Sequence, residues 1–342
     1  MIRKLIAIVL VMLLLTGCVN LRQEPDRLTQ YNATFLTLFD TVTTIVGRYP
    51  SEKEFSEVTQ AIHDELLEYH QLFDIYNDYE GLNNLKTIND HAGIGPVEAD
   101  PRIIDLLTDC RAYYELTGGK VNVAMGSVLY LWHVARNDSI NDPANAYTPD
   151  PDALAEAAKH STFDTILIDE EAGTVFITDP EQRLDVGAVA KGWSVQRVAE
   201  NAPAGLLMSI GGNVFATGTK DESGTPWVVG ITNPDGGNYL HTLNTAYGAV
   251  VTSGDYQRFY QVDGVTYHHI IDPATRFPSA YWRSVTIVCD DSGLADALST
   301  ALFLLPQAEG QALLDQCNAE ALWMDLDGQL YYSTNFETLI RT

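Results

Sequence analysis

Basic residues are scarce in this chain. Its 342 residues hold 20 Lys and Arg against 46 Asp and Glu, a formal net charge of −26, and no segment gathers a basic patch. An acidic surface repels phosphate backbones, so a nucleic-acid partner is not expected. Any anionic ligand would have to rely on a metal ion, a helix N-terminus or backbone N–H groups. Cysteine is scarce too. Apart from Cys18 there are Cys110, Cys289 and Cys317, scattered and odd in number, which implies neither a disulfide framework nor a CxxC metal site. No G-x-x-x-x-G-K-[ST] loop is present, which excludes a P-loop nucleotide hydrolase, and no G-x-G-x-x-G follows a strand, which argues against a Rossmann dinucleotide site. What is present is an ordinary globular composition, 46% apolar and 19% charged, enough to build a substantial core.

The first residues read as an address. Arg3 and Lys4 precede the unbroken apolar run Leu5 to Leu15, too short to span a bilayer as a helix, so residues 1–17 are expected to be a signal peptide. The run ends in Leu15-Thr16-Gly17-Cys18, which resembles the lipobox of bacterial lipoproteins. That resemblance implies lipidation of Cys18, a tether over residues 18–33, a domain over 34–342, and a location on the extracytoplasmic face of the cell membrane.

Beyond the tether the pattern predicts an α+β, mixed α/β fold without repeats. Ser51 to Glu54 is a capping box, and Phe55, Val58, Ile62, Leu66, Tyr69 and Phe73 follow at helical spacing. Asp100-Pro101 opens a second helix that Gly118-Gly119 closes. The polar stretch from Asn137 to Pro151 reads as a surface excursion. Strands are expected at 165–169, 174–178, 206–210, 227–231, 249–253 and 284–289, hairpins at Asp263-Gly264 and Asp327-Gly328, and helices at 188–201, 294–304 and 307–317.

Five short segments interrupt this apolar pattern at strand ends and turns. They are Asp185 to Gly192, Ser209 to Asn213, Ser253-Gly254-Asp255-Tyr256 with Arg258, His269 to Pro273, and Asp296 to Thr300. Each alone has a plain structural explanation as a cap or a turn. Together they suggest one chemistry. Asp296 and Thr300 lie four apart on a helix and put a carboxylate and a hydroxyl on one face, a hard-oxygen pair suited to Mg²⁺. The helix after Asp185-Val186-Gly187 offers N–H groups to an anion, with Lys191 one turn in. Gly211-Gly212 lets the backbone approach a ligand closely. A diphosphate held by Mg²⁺ is the ligand these pieces point to.

In order and spacing the same segments resemble the ApbE family, the FAD:protein FMN transferases, from about Thr34 to Thr334. The resemblance implies two interleaved subdomains with a flavin site between them. It also implies Mg²⁺-dependent transfer of FMN from FAD to a Ser or Thr of a target protein, with AMP released. Carried over by motif, Asp296, Thr300 and the carbonyl of Ala188 would ligate Mg²⁺, and His269 would be the base for the acceptor hydroxyl. FAD contacts would fall to Phe39, Asp40, Thr41, Tyr76, Lys120, Val121, Asn122, Asp185, Lys191, Gly211, Gly212, Ser253, Gly254, Asp255 and Ile271.

His268 and His269 are expected in one strand, facing opposite ways. The chain departs from the family at three places. Gly119-Lys120-Val121-Asn122 replaces Gly-Ala-Phe-Asp, Phe39-Asp40-Thr41 replaces Met-Gly-Thr, and Arg276 replaces the last glycine of Asp-Pro-x-Thr-Gly. The implied partners are FAD, the membrane through the lipid, and flavin-accepting subunits of membrane redox complexes of the Rnf and Nqr kind or other secreted flavoproteins. FAD hydrolysis, and flavin binding without catalysis, use the same pocket and stay open as alternatives.

Overall fold

The computed structural model describes residues 28–36 and 38–341. Its centre is an eight-stranded, wholly antiparallel sheet in the order β1-β2-β6-β7-β10-β13-β14-β15. Strand β1 (Thr29–Phe35) pairs with β2 (Thr43–Tyr49), so the sheet begins inside the segment read as tether. Only Tyr31, Ala33 and Phe35 of β1 pack inward. The polar residues between them are those of an edge strand, and they disguise it as linker.

Helix α1 (Glu52–Leu72) starts where the capping box predicts. The Ser51 hydroxyl accepts the Glu54 N–H, and Phe55, Ile62, Leu66, Tyr69 and Leu72 form the buried stripe. Short helix α2 (Leu85–Asp90) and strand β3 (Val97–Glu98) lead to α3 (Pro101–Leu116), capped by Asp100 with Pro101 in the first turn. Next comes α4 (Gly126–Asn141), which the sequence reading did not assign. Its buried Val128, Trp132, Ala135 and Ser139 recur at spacings of four, three and four, but the polar Arg136 to Asp142 side obscures the stripe. The excursion expected from Asn137 therefore begins only after Asn141. It ends at α5 (Pro151–Ala157).

Strands β4 (Ile166–Asp169) and β5 (Thr174–Ile177) join β3 in a small sheet ordered β3-β5-β4. Helix α6 (Ala190–Asn201) then leads into the hairpin of β6 (Leu206–Ile210) and β7 (Asn213–Ala216). A two-stranded ribbon, β8 (Trp227–Ile231) with β9 (His241–Thr245), precedes the central strand β10 (Gly248–Gly254). The ribbon β11 (Phe259–Val262) and β12 (Val265–His268) turns at Asp263-Gly264, whose φ values of 51° and 80° suit a two-residue hairpin loop. Strand β13 (Trp282–Cys289) is followed by α7 (Ser292–Phe303), α8 (Gln307–Leu314), β14 (Ala319–Asp325) and β15 (Leu330–Tyr332).

Helix α7 lies on β10 and β13 and packs side by side with α6. Ala295, Leu298, Ala301, Leu302 and Phe303 of α7 are fully buried. Trp193 of α6 is 1% exposed, meets Tyr69 and Phe73 edge-on at 5.6 Å, and donates its indole N–H to Asp109 at 2.7 Å. That single side chain ties α1, α3 and α6 together, and truncating it would cost about 3–5 kcal/mol. A second apolar cluster joins α4 to the β11–β12 ribbon through Trp132, Tyr260 and Ile271. Cys110, Cys289 and Cys317 are free thiols. Cys18 lies outside the described residues.

Candidate functional site

Two close backbone approaches fix the first wall of the site. The extended segment before α6 is pinned on both sides. The Leu184 N–H donates to the Asn89 side chain at 2.7 Å, and the Asp185 N–H donates to the Val123 carbonyl at 2.9 Å. One turn into α6, a Cβ on Gly192 would stand 2.3 Å from the Ser292 carbonyl oxygen and 2.4 Å from the Asp296 Cβ. Only glycine lets α6 and α7 come this close. The reward is electrostatic. The Gly192 N–H donates to Asp296 Oδ2 at 2.8 Å, and Lys191 Nζ stands 3.7 Å from the same oxygen.

Asp296, 4% exposed, is the one charged residue of its helix, and a buried ionised carboxylate is costly without cationic or N–H partners. Thr300 lies one turn on in α7 and Ala188 in the turn before α6, so the Thr300 hydroxyl and the Ala188 carbonyl are the hard oxygens that could join the second Asp296 oxygen on a cation. Thr300 and Ala188 are both half-buried. Among the described residues no three His, Cys, Asp or Glu side chains converge as a metal cage. A cation held here would therefore take much of its coordination from a ligand's oxygens or water, which fits Mg²⁺.

His269 stands beside this wall. Strand β12 ends at His268, so the two histidines do not share a strand as expected, but they still diverge. His268 is buried, with Nε2 2.8 Å from the Ser279 carbonyl and Nδ1 3.2 Å from the Ile270 N–H, which makes it structural. His269 sits just past the strand and opens to solvent, its N–H donating to the Arg258 carbonyl at 3.1 Å. Crowding by protein on its closed sides, then the charges of Arg258, His268 and Lys191, lower its pKa to about 3. Its imidazole is neutral at physiological pH and free to accept a proton.

A third group lies beyond His269. The Tyr76 ring stacks on His133 of α4 with centroids 4.8 Å apart and its hydroxyl 3.3 Å from Nδ1. Asp74 holds the Tyr76 N–H at 2.7 Å. Burial, then the charge of Asp185, pushes the Tyr76 pKa up to about 12. Burial also raises Asp185, opposed by the Gly187 N–H at 2.9 Å and by the charges of His133 and Arg258. Phe39 and Asp40 take φ values of 50° and 54°, and the following Thr41 lies against Gly211, where a Cβ would meet its hydroxyl at 2.6 Å. The Asp40 charge is felt by both His133 and Arg136.

Several of the other expected flavin-contact residues have protein partners for their side chains. Val121 is 1% exposed and belongs to the main core. The Asn122 amide is spent on backbone, accepting from the Ala124 N–H and donating to the Ser161 carbonyl, each at 2.9 Å. Lys120 pairs with Asp272 at 3.0 Å, and Ile271 is buried against α4. The Ser253 hydroxyl meets that of Ser299 at 2.8 Å, while Asp255 leans toward Arg283 at 3.9 Å. A Cβ on Gly254 would strike the Tyr256 ring at 2.3 Å, so that glycine makes room for a neighbour. The sequence reading missed His133 and Arg136 because it missed α4. Their signal is the i, i+3 spacing, which puts both on one face of the helix.

The ApbE family model matches residues 32–323. A Treponema pallidum protein named FAD:protein FMN transferase is 34% identical over 279 residues, 75% of this chain and 75% of that one. A Klebsiella pneumoniae protein of the same name is 31% identical over 268 residues, covering 74% of this chain and 80% of its own. Among solved structures, the ApbE protein of Thermotoga maritima superposes with a TM-score of 0.81 at 29% identity, over 92% of this chain and 100% of that one. The family model and these relatives show that the chain belongs to the ApbE family.

Proposed function

We propose that this protein is a Mg²⁺-dependent FAD:protein FMN transferase. The observation that carries the reading is the buried Asp296 carboxylate, held 2.8 Å from the Gly192 N–H and 3.7 Å from Lys191, whose charge reaches His269. The activity in the names of the relatives from Treponema pallidum and Klebsiella pneumoniae supports it. Asp296, Thr300 and the Ala188 carbonyl would hold Mg²⁺, whose contribution is to offset charge on the diphosphate oxygens.

The acceptor hydroxyl oxygen attacks the phosphorus of the FMN half, and the bond between the two phosphates breaks. AMP leaves with the electron pair, and His269 takes the hydroxyl proton. A bound diphosphate raises the proton affinity of that imidazole from its value in the unliganded site. Lys191 and the first N–H groups of α6 orient the anion. Tyr76 offers a ring face to a planar group.

Substituting His269→Ala should abolish transfer while FAD binding survives, because proton removal is needed only in the transition state. Asp296→Ala should remove the Mg²⁺ dependence together with turnover. Transfer by His269→Ala at the wild-type rate from pH 6 to 9 would overturn the assignment of the base. Because His269 is open to solvent, water is a competing acceptor, and hydrolysis to FMN and AMP is the second reading.

The Leu15-Thr16-Gly17-Cys18 motif supports lipidation at Cys18 and anchoring on the extracytoplasmic face of the membrane. Cys18 precedes β1 by so few residues that even a fully extended link reaches only about 35 Å. That reach favours acceptor subunits of membrane redox complexes.

A further inference from the structure

Two guanidinium groups near the site have no ion-pair partner among the described residues. The chain carries 46 acidic residues against 20 basic ones, and most described lysines and arginines stand within ion-pair distance of a carboxylate. Arg136 on α4 and Arg258 after β10 do not. Among the described residues neither makes an ion pair or a side-chain hydrogen bond. The two also lie near each other. Burial, then the charge of Arg258, pulls the Arg136 pKa below its ordinary value.

Their surroundings belong to the site already described. The Arg258 carbonyl accepts the N–H of His269 at 3.1 Å, and the Arg258 charge reaches His269, Tyr76, His133 and Asp185. Arg136 is one helical turn from His133, on the same face of α4. His133 is fixed from both ends, by the Tyr76 hydroxyl at 3.3 Å and by Asn137 Nδ2 at 2.8 Å. The nearby carboxylates, Asp40 and Asp185, oppose the repulsion without pairing.

Arg136 is partly buried and Arg258 exposed beside it; two like charges that share no carboxylate favour an arriving anion, and a guanidinium fork fits phosphate oxygens. We propose that Arg136 and Arg258 bind phosphate oxygens of FAD, forming with Lys191 the cationic part of the dinucleotide site. The proposal rests on the transferase reading and adds two substrate-binding residues that the sequence motifs do not assign. Arg258 joins the anion to the loop that carries His269. Substrate binding and placement of the base are thereby coupled.

The test compares FAD and riboflavin binding to wild-type protein, Arg136→Gln and Arg258→Gln by flavin fluorescence over a range of salt concentrations. The proposal expects each variant to bind FAD about tenfold more weakly, with a flatter salt dependence. Riboflavin affinity should change by less than about twofold, since it carries no phosphate. Arg258→Lys should recover part of the loss because the charge returns without the fork. Thermal unfolding of the ligand-free Arg136→Gln variant should be unchanged or raised, as repulsion is relieved; a structural arginine would lower it. Wild-type protein that fails to bind FAD would overturn the transferase reading and this inference together. Wild-type binding matched by both variants would overturn this inference alone. So would normal FAD binding with a raised KM for the acceptor protein, which would assign the pair to the partner.

Discussion

Replacing Gly192 by alanine tests the link between helix packing and chemistry. The new methyl would lie 2.3 Å from the Ser292 carbonyl oxygen and 2.4 Å from the Asp296 Cβ. Non-bonded atoms settle near 3.5 Å, so α6 and α7 would have to separate by about 1 Å. Neither helix can yield easily, since Trp193 and Val195 on one and Ala295, Leu298 and Leu302 on the other are at most 1% exposed. Overpacking of this kind costs about 1–3 kcal/mol, a fall in Tm of several degrees for a domain of this size.

The effect on activity should be larger. A separation of about 1 Å breaks the 2.8 Å bond from Gly192 to Asp296 and misplaces the carboxylate. Displacements of that size cost about 100-fold in rate. The assay is FAD turnover against Mg²⁺ concentration, with thermal unfolding measured in parallel. Gly310→Ala is the control. There a Cβ meets Trp323 and Leu302 at 3.2 and 3.3 Å, so stability should fall modestly with no change in Mg²⁺ dependence. Gly192→Ala protein with wild-type turnover and wild-type Mg²⁺ dependence would refute the reasoning.

Three further outcomes are expected. Arg276 keeps a φ of 65° and has a buried Nε without a partner among the described residues, so Arg276→Gly should raise stability to chemical denaturation by about 1 kcal/mol, while Arg276→Ala, which keeps the strain, should not. Burial holds the His268 pKa below its ordinary value of 6.5. Below that pH the unfolded chain takes up a proton that folded His268 refuses, so stability falls as pH drops from 6.5, and His268→Asn should flatten the slope of Tm against pH even if its Tm is lower throughout. Mass spectrometry of the protein from native membranes should find a diacylated Cys18 at the N-terminus, and an unmodified N-terminus at any other residue would refute the lipobox reading.

The parts of the fold that show in the sequence are those with local signals. The Ser51 box, Asp100-Pro101 and the turn at Asp263-Gly264 each satisfy backbone groups within a few residues, so each can be read without knowing the rest. Helix α4 could not be read this way. Its stripe of Val128, Trp132 and Ala135 is narrow, and its partner is the distant β11–β12 ribbon. Strand β1 was hidden by its edge position. In the site, Asp296 and Lys191 were legible as motif residues. Their 3.7 Å meeting depends on Gly192, 104 positions from its hydrogen-bond partner.

At Val121 and Asn122 the motif marks a stretch whose side chains are engaged in the core and in capping, which leaves the backbone to meet a ligand. Asp40 and Arg276 occupy places where the family usually has glycine. Both keep positive φ, of 54° and 65°. The backbone there follows the fold and not the residue's own preference, which sequence alone cannot show.

The central claim is that FAD is split and its FMN half passed to a protein hydroxyl. The most direct measurement incubates the protein with FAD, Mg²⁺ and a purified flavin-accepting subunit, then follows AMP release together with flavin that stays on the acceptor after denaturation. The account predicts equal amounts of AMP and acceptor-bound FMN, with both lost in Asp296→Ala protein. AMP matched by free FMN with an unmodified acceptor, or FAD recovered intact, would contradict it.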